Sequence, residues 1–288
     1  MNINLAILLL VTLVWGTTFP LLKTAASTLG GVEISAIRFV IAAVCMAPFL
    51  RQVPKRTWHD GALLGLLALV SYVAQAVGIQ FISSNRSAFL TSLAVLIVPI
   101  LGLFWGARLS TTTLAAALMA CTGIGFMSWE GGLHWMGDSA TLLCALAYAL
   151  YVVVLSQRVI GHDVRQLAAT QIVFMALASS LWLGVAGIGN DSLETLLTRL
   201  TPHWTGMLYL GAVATAGMLV LQALAQRKVS ADKAAVINAT EPVFAALFAW
   251  LWLGEMLSGR AALGGAMVVG AVILSELTPG QKQASTAS

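Results

Sequence analysis

Two charged side chains lie inside long apolar stretches of the sequence, where a charge is costly and usually has a function. Arg38 lies about five residues inside one stretch, and its planar guanidinium group can bind a carboxylate. Its long side chain could alternatively reach lipid headgroups. Glu241 lies roughly 12 Å inside another stretch if that stretch is helical. Because apolar surroundings favour its neutral form, Glu241 could exchange a proton, or it could hydrogen-bond the backbone that Pro242 disturbs.

Uncharged polar and aromatic side chains occur at a similar depth in other apolar stretches. Aromatic walls with a few convergent polar groups are typical of a small-molecule pocket, although each residue alone could simply pack or join two helices. Pro20 and Pro242 are the predicted points at which two of the stretches bend. The predicted pocket residues, besides Arg38, are Trp15, Thr18, Phe19, Tyr72, Gln75, Thr91, Tyr148, Tyr151, Gln171 and Asn238.

The composition indicates that the apolar stretches cross a membrane. Of the 288 residues, 59% are hydrophobic and 9% are charged, whereas soluble domains carry about 25% charged residues. A soluble fold of this length would need a polar surface that these residues could not provide. The basic residues form short clusters between the stretches and no continuous basic face, so the sequence predicts no nucleic-acid binding.

Ten apolar segments are long enough to cross a hydrocarbon core of about 30 Å. The first lacks a basic N-terminal region and a cleavage site, so it is predicted to be a retained helix and not a signal peptide. The sequence therefore predicts an all-α integral membrane protein with ten transmembrane helices. The segments are 4–22, 33–50, 60–80, 86–106, 112–128, 137–156, 166–187, 204–225, 233–253 and 260–277.

The distribution of Lys and Arg predicts the orientation, because cytoplasmic loops are enriched in these residues. With the N-terminus inside, the inner connections and the tail hold ten of them, and the outer connections hold four. Both termini are therefore predicted to be cytoplasmic. In one outer connection, leucines between Asp191 and Leu200 recur at helical spacing, which predicts a short amphipathic helix on the membrane surface. Asp191 or Ser192 could cap it.

A weak internal repeat divides the chain into two halves of five segments. Trp105–Leu114 aligns with Leu253–Ala262, and in a second alignment Arg38 falls on Gln171. Because five is odd, the second half must be inverted in the membrane relative to the first, and transporters commonly bind their substrates between such repeats. The predicted domains are 4–128 and 137–277, followed by a disordered cytoplasmic tail, 278–288.

Two motifs give the chain a resemblance to a known family. They are Leu13-Val-Trp-Gly-Thr-Thr-Phe-Pro20 and Glu241-Pro-Val-Phe-Ala-Ala-Leu-Phe-Ala-Trp-Leu-Trp-Leu-Gly-Glu255. The chain resembles the drug/metabolite transporter superfamily, in particular its ten-helix members with two EamA-type repeats. The resemblance implies a secondary transporter in the bacterial inner membrane that exports amino acids, aromatic ones among them, or related metabolites. It also favours a structural role for Glu241-Pro242, since this pair is common in the family whatever the substrate.

The first half departs from the second at both acidic positions of the family motif. Leu93-Ala94 stands where the second half has Glu241-Pro242, and Ala107 stands where it has Glu255. A mechanism with symmetric acidic groups is therefore not expected. Inverted halves whose helices bend can exchange inward-facing and outward-facing states of similar energy, so we expect alternating access around a central cavity.

A polytopic membrane enzyme acting on a lipid is the alternative function. It would need clustered ligands or a nucleophile with its base, but the four histidines are scattered over different connections. No cofactor or metal ion is expected, and ATP is not expected to drive transport, because a phosphate-binding Gly-Lys motif is absent. Cys45, Cys121 and Cys144 have neither disulfide nor metal spacing and are predicted to be small packing residues. The predicted partners are a small-molecule substrate and the lipid bilayer, and the sequence indicates no oligomeric state.

Overall fold

The computed structural model describes residues 3–104, 110–128, 132, 134–186, 193–253 and 259–276. Every regular element within these ranges is a helix, and helices cover each of the ten predicted apolar segments as far as these residues are described. Several sequence expectations lie outside the described residues. These are the capping residues Asp191 and Ser192, the Ala107 and Glu255 positions, and the tail 278–288.

We number the helical paths α1 to α10, of which α4 and α9 each consist of two helices and α8 contains a π-helical section. A separate surface helix, Leu193–Leu200, precedes α8. The paths are α1 (Ile3–Ala25), α2 (Gly31–Met46, extended by the 3-10 turn Ala47–Leu50), α3 (Lys55–Phe81), α4a (Ser84–Ser92), α4b (Ala94–Phe104), α5 (Thr111–Ser128), α6 (Trp135–Arg158), α7 (Val164–Ala186), α8 (Trp204–Leu208, the π-helical Tyr209–Gly217 and Met218–Gln226), α9a (Ala231–Asn238), α9b (Glu241–Leu253) and α10 (Gly259–Glu276).

Among the described residues, seven helical runs are long and apolar enough to cross a membrane. They are α1, α2, α3, α4, α6, α7 and the run from the surface helix through α8, while α5 and α10 contain shorter apolar stretches. Large apolar side chains such as Val44, Leu177 and Val185 are exposed on the outside of the bundle. Such exposure suits contact with lipid and not with water. The chain therefore forms a multi-pass α-helical membrane protein.

Helices α4 and α9 are interrupted partway along their length. The break in α4 lies at Leu93 and the break in α9 at Ala239–Thr240. At the second break the Thr240 hydroxyl donates to the Ile237 carbonyl at 2.7 Å, and it lies 3.1 Å from the Thr12 hydroxyl of α1. Polar groups of an interrupted helix at membrane depth need partners of this kind.

The two prolines of the sequence prediction behave differently. Pro242 is the second residue of α9b and follows the break directly, in the first helical turn, where its missing N–H is tolerated. Helix α1, by contrast, remains helical through Pro20. The bend of α1 at Pro20 stays a prediction. The hydroxyls of Thr17 and Thr18 each donate at 2.7 Å to a carbonyl three residues earlier.

The helices are joined by a small number of extensive contacts. Helix α1 contacts α9b and α8, α2 contacts α7 and α8, α3 contacts α6 and α7, and α4 contacts α6. Helix α5 lies along α10 and also contacts α4 and α9a. Glycines permit the closest approaches: a Cβ on Gly16 would lie 2.6 Å from the Cβ of Phe244, and one on Gly123 would lie 2.6 Å from the Gly264 carbonyl oxygen.

Ion pairs join helices at one end of the bundle, which we call the outer end after the predicted orientation. Arg86 at the start of α4a donates two hydrogen bonds of 2.7 Å to Asp138 at the start of α6. Arg199 of the surface helix donates to Glu33 of α2 at 2.7 and 3.2 Å. The surface helix thereby lies against the outer end of α2.

A buried polar cluster joins helices at the opposite, inner end. Asp60 of α3 accepts a hydrogen bond from Arg158 at the end of α6, and its other oxygen lies 2.9 Å from Nε2 of His162. The Nδ1 atom of His162 lies 2.9 Å from the Thr57 hydroxyl. Because Asp60 and His162 are both buried, this cluster ties the start of α3 to the connection between α6 and α7.

Candidate functional site

A cavity lies between α1, α2, α3, α4a, α6 and the start of α9b. Its empty volume is about 390 Å³. Eight of its lining residues belong to the set predicted from the sequence, so the structure brings together residues from six helical paths. The lining residues are Trp15, Thr18, Arg38, Ser71, Tyr72, Gln75, Thr91, Cys144, Tyr148 and Glu241.

Arg38 lies in the wall of this cavity, where its residue surface is only 2% exposed. Its Nε donates to the Thr215 hydroxyl at 3.0 Å, and the hydroxyl donates in turn to the Leu210 carbonyl within the π-helical section of α8. The guanidinium carbon lies 4.5 Å from the centre of the Tyr72 ring, which is a cation–π distance. The Nη2 atom has no hydrogen-bond partner. A buried donor of this kind remains available for an acceptor in the cavity.

Glu241 is the first residue of α9b and lines the same cavity. It is buried, and among the described residues its carboxyl group forms no hydrogen bond or ion pair. The Thr240 hydroxyl, and not Glu241, bonds the backbone at the break. No ion pair within 4.0 Å joins Glu241 to Arg38. The cavity therefore holds one acidic and one basic side chain that do not neutralise each other directly.

Tyr148 is the centre of a hydrogen-bonded aromatic wall. Its hydroxyl accepts hydrogen bonds from Nδ2 of Asn238 at 2.7 Å and from Nε2 of Gln222 at 3.1 Å. Its ring meets the Trp15 indole edge-on, with ring centres 5.9 Å apart, and stacks on Tyr151. The Trp15 Nε1 donates to the Ala214 carbonyl of the π-helical section at 2.8 Å. Two helices, α8 and α9a, therefore hold the aromatic wall in place.

A second, narrower cavity adjoins the first and lies between the breaks in α4 and α9. The two cavities share Thr91, Tyr148 and Glu241. The remaining wall is mainly apolar, with Ser92 and Asn238 as further polar side chains. Its lining residues are Thr91, Ser92, Ala94, Val95, Val98, Tyr148, Val152, Ala235, Asn238, Ala239 and Glu241.

Three residues of the predicted pocket do not line either cavity. Phe19 is fully buried in an apolar cluster with Leu22 and other residues near the outer end. Gln171 donates to the Tyr151 hydroxyl at 3.5 Å, and both side chains lie behind the cavity wall. Their helices face the bundle interior, as the sequence suggested, but these side chains point to other parts of it.

Two lining residues of the first cavity, Ser71 and Cys144, were not predicted. The Ser71 hydroxyl lies 3.4 Å from the Cys144 sulfur, so they face each other across α3 and α6. The sequence contains a usable signal, because Ser71 precedes Gln75 by four residues and Cys144 precedes Tyr148 by four. Residues four apart lie on the same face of a helix. The interpretation of Cys144 as a packing residue is therefore incomplete, since its sulfur also contributes to the cavity wall.

A bundle of apolar helices around a buried cavity with two charged side chains defines a multi-pass membrane protein suited to holding a small polar molecule. The sequence model of the EamA-like transporter family matches residues 2–129 and again residues 135–277. The chain belongs to this family, and thus to the drug/metabolite transporter type that its motifs resemble.

Individual relatives are also named as transporters. An uncharacterized transporter of Archaeoglobus fulgidus is 28% identical over 271 residues, which cover 94% of this chain and 84% of the relative. A probable terminal-alkyne amino-acid exporter of Streptantibioticus cattleyicolor is 22% identical, with 97% of this chain and 96% of the relative covered. A crystal structure with 17% sequence identity superposes with a TM-score of 0.76 over 96% of this chain and 98% of its own. That structure supports the fold alone.

Proposed function

We propose that this protein is a secondary transporter that exports small zwitterionic metabolites, amino acids in particular, across the bacterial inner membrane. The observation that carries the proposal is the pair of opposite charges, Arg38 and Glu241, in one buried cavity without a mutual ion pair. Buried charged side chains in membrane proteins normally form ion pairs or take part in function. A zwitterion would supply a partner of the opposite sign to each.

The carboxylate of such a substrate fits the side of the cavity formed by Arg38. The Nη2 atom is an unused donor, and the bond from Nε to Thr215 fixes the plane of the guanidinium group. Charge-assisted hydrogen bonds to a fixed arginine are among the stronger polar contacts in proteins. The positive group of the substrate then lies toward Glu241, and the aromatic faces of Trp15 and Tyr72 contact its apolar part.

One relative supports amino acids as the substrate class. The Streptantibioticus protein aligns with almost the whole chain and is named as a probable exporter of an amino acid. An amino acid has the two charges that the cavity would complement. Aromatic amino acids would also stack on the wall formed by Trp15 and Tyr148.

Alternating access by two inverted repeats, 4–128 and 137–277, is the proposed mechanism, with both termini in the cytoplasm. The family model matches once in each half, and helix contacts recur between halves. The contact of α1 with α9b corresponds to that of α6 with α4, and the contact of α2 with α8 corresponds to that of α7 with α3. Repeats with equivalent contacts can exchange roles on the two sides of a membrane.

Glu241 also offers a route to proton coupling. A carboxyl group that binds either a proton or the ammonium group of the substrate cannot bind both at once. Export of substrate would then be coupled to proton entry, because the site would bind substrate on the cytoplasmic side and a proton on the outer side. The absence of a hydrogen bond to Glu241 from the described residues leaves its carboxyl group free for this exchange.

Transport by purified protein in liposomes tests the proposed function. A panel of labelled amino acids and other metabolites is offered with and without an imposed proton gradient. We expect saturable uptake of at least one zwitterion, faster when the substrate and protons move in opposite directions. The alternative of a lipid-modifying enzyme predicts no accumulation and an altered lipid in the same vesicles. No substrate accumulation from the whole panel would contradict the proposal.

Cysteine labelling tests alternating access separately. Thr91→Cys and Asn238→Cys are made one at a time in a background without the native cysteines, and each is labelled from either side of the membrane. Substrate should raise the labelling from one side and lower it from the other. Equal labelling from both sides, unchanged by substrate, would indicate a channel.

A further inference from the structure

The second cavity presents oxygen atoms that lack hydrogen-bond donors. Nδ2 of Asn238 donates to the Tyr148 hydroxyl, and Oδ1 of the same side chain is buried without a hydrogen-bond partner. The Glu241 carboxyl group has no partner among the described residues. The nearest partner of the Thr91 hydroxyl is the Cys144 sulfur at 3.8 Å, a long contact. Buried acceptors normally have donors, so this part of the cavity is short of them.

The backbone around the α9 break adds to the shortage of donors. Pro242 has no N–H and cannot donate to the carbonyl of Asn238, four residues earlier. The helices α4a and α9a both end at this cavity, at Ser92 and Asn238. The Asn238 carbonyl and the three side-chain acceptors favour a positive group in this cavity.

The second cavity has an empty volume of about 280 Å³, against about 390 Å³ for the first, and the two share Thr91, Tyr148 and Glu241. Behind these residues the wall is formed by Val95, Val98 and other apolar side chains. A positive group in this cavity would therefore find its acceptors at Thr91, Asn238 and Glu241 and not at the apolar wall.

We propose that this second cavity is the subsite for a primary ammonium group, and that Asn238 and Thr91 select it against N-alkylated amines. The inference rests on the proposed function, because the rest of a zwitterionic substrate lies in the first cavity. A primary ammonium group is compact and carries three N–H donors. Asn238 Oδ1, the Glu241 carboxylate and the Thr91 hydroxyl each accept one. An N-methyl group removes a donor and places a methyl group among these oxygen acceptors.

Competition by substrate analogues in liposomes tests this assignment. The labelled substrate is the zwitterion that the purified full-length protein accumulates most. The competitors are the same amino acid, its N-methyl and N-trimethyl derivatives, and the corresponding acid without an amino group. We expect the N-methyl compound to compete about 10- to 100-fold more weakly, as expected for a lost hydrogen bond to a charged group, and the N-trimethyl compound not to compete.

Variants separate selection from folding. Asn238→Ala and Thr91→Ala remove one acceptor each from opposite walls, and each should reduce the preference for the primary amine to about threefold or less. Ser179→Ala, which removes a buried hydroxyl of α7 outside both cavities, should retain the full preference. If one cavity variant fails to insert, the other still gives the result, and the wild-type competition is informative alone.

The possible outcomes distinguish the inference from the proposed function. Transport of an amino acid with equal competition by its N-methyl derivative would overturn the ammonium subsite and leave the proposed function standing. A different outcome is the loss of transport when choline replaces Na⁺, again with equal competition by the N-methyl derivative. That result would overturn the ammonium subsite and assign the same acceptors to a sodium ion. Failure to accumulate any zwitterion would overturn both.

Discussion

Helices α4 and α9 both break beside the cavities, but they do so with different residues. The break in α9 is followed at once by Glu241 and Pro242, whereas α4 breaks at Leu93 and its proline lies six residues later, at Pro99 inside α4b. A break at this depth therefore requires neither the proline nor the acidic residue. The backbone path is similar in the two halves, and the carboxyl group belongs to one of them.

Helices α2 and α7 also differ in their side chains at corresponding positions, Arg38 and Gln171. Arg38 lines the cavity and bonds Thr215, while Gln171 bonds Tyr151 behind the wall. Each half thus contributes one ionisable side chain to the cavity, the first half a basic one and the second half an acidic one. A site built by two similar halves can in this way bind a ligand whose two ends differ.

The largest expected effect separates Arg38 from Gln171. Arg38→Gln should weaken binding of zwitterionic or anionic substrates at least about 30-fold, because truncating one partner of a buried charge pair costs about 2 kcal/mol or more. Gln171→Ala should change the affinity by about threefold or less. Both are measured as substrate affinity in liposomes, with insertion checked by gel filtration of the purified protein. Equal losses in the two variants would remove the distinction between the halves.

A smaller effect than that of Arg38→Gln is expected at Glu241, with Leu93, the corresponding position of the first half, as the control. Glu241→Gln keeps the shape but removes the charge, so we expect about tenfold weaker substrate binding and transport that no longer responds to a proton gradient. In the wild type, acidifying the side from which substrate binds should weaken binding, because protons compete for the carboxylate. Leu93→Gln should retain the response to protons. A Glu241→Gln protein that is still driven by the proton gradient would contradict coupling at this residue.

The smallest effect is expected at Pro242. Since α4 breaks without a proline, Pro242→Ala should leave α9 interrupted and change the free energy of unfolding by no more than about 1 kcal/mol, or about 4 °C in Tm. Thermal unfolding in detergent measures this, with Pro99→Ala as the matched change in the other half. A loss of folding in Pro242→Ala alone would show that the two breaks are held by different means.

The hydropathy pattern was sufficient to predict the helical membrane fold and the positions of the helices. Apolar segments of this length have few alternatives, because backbone polar groups in lipid must be satisfied within a helix. The two charged residues, Arg38 and Glu241, were also identifiable, since a charge in such a segment stands out from its neighbours. Their roles in transport remain predictions.

The rotation of each helix about its axis could not be predicted with the same success. Phe19, Tyr151 and Gln171 have the depth and chemistry of pocket residues but face other parts of the interior, whereas Ser71 and Cys144 face the cavity. Nearly every face of these helices is apolar, so the pattern does not indicate which side turns inward. Neighbouring helices decide it.

The sequence by itself determined the class of the protein, its helical segments and the charges available to bind a ligand. Only the tertiary structure decided which side chains meet around the cavities, where α4 breaks, and how Arg38 is held by Thr215 of the π-helical section. The physical reason is that the two properties depend on interactions over different distances along the chain. Transfer of a segment into lipid depends on its own residues, whereas a cavity depends on the contacts of residues far apart in the chain.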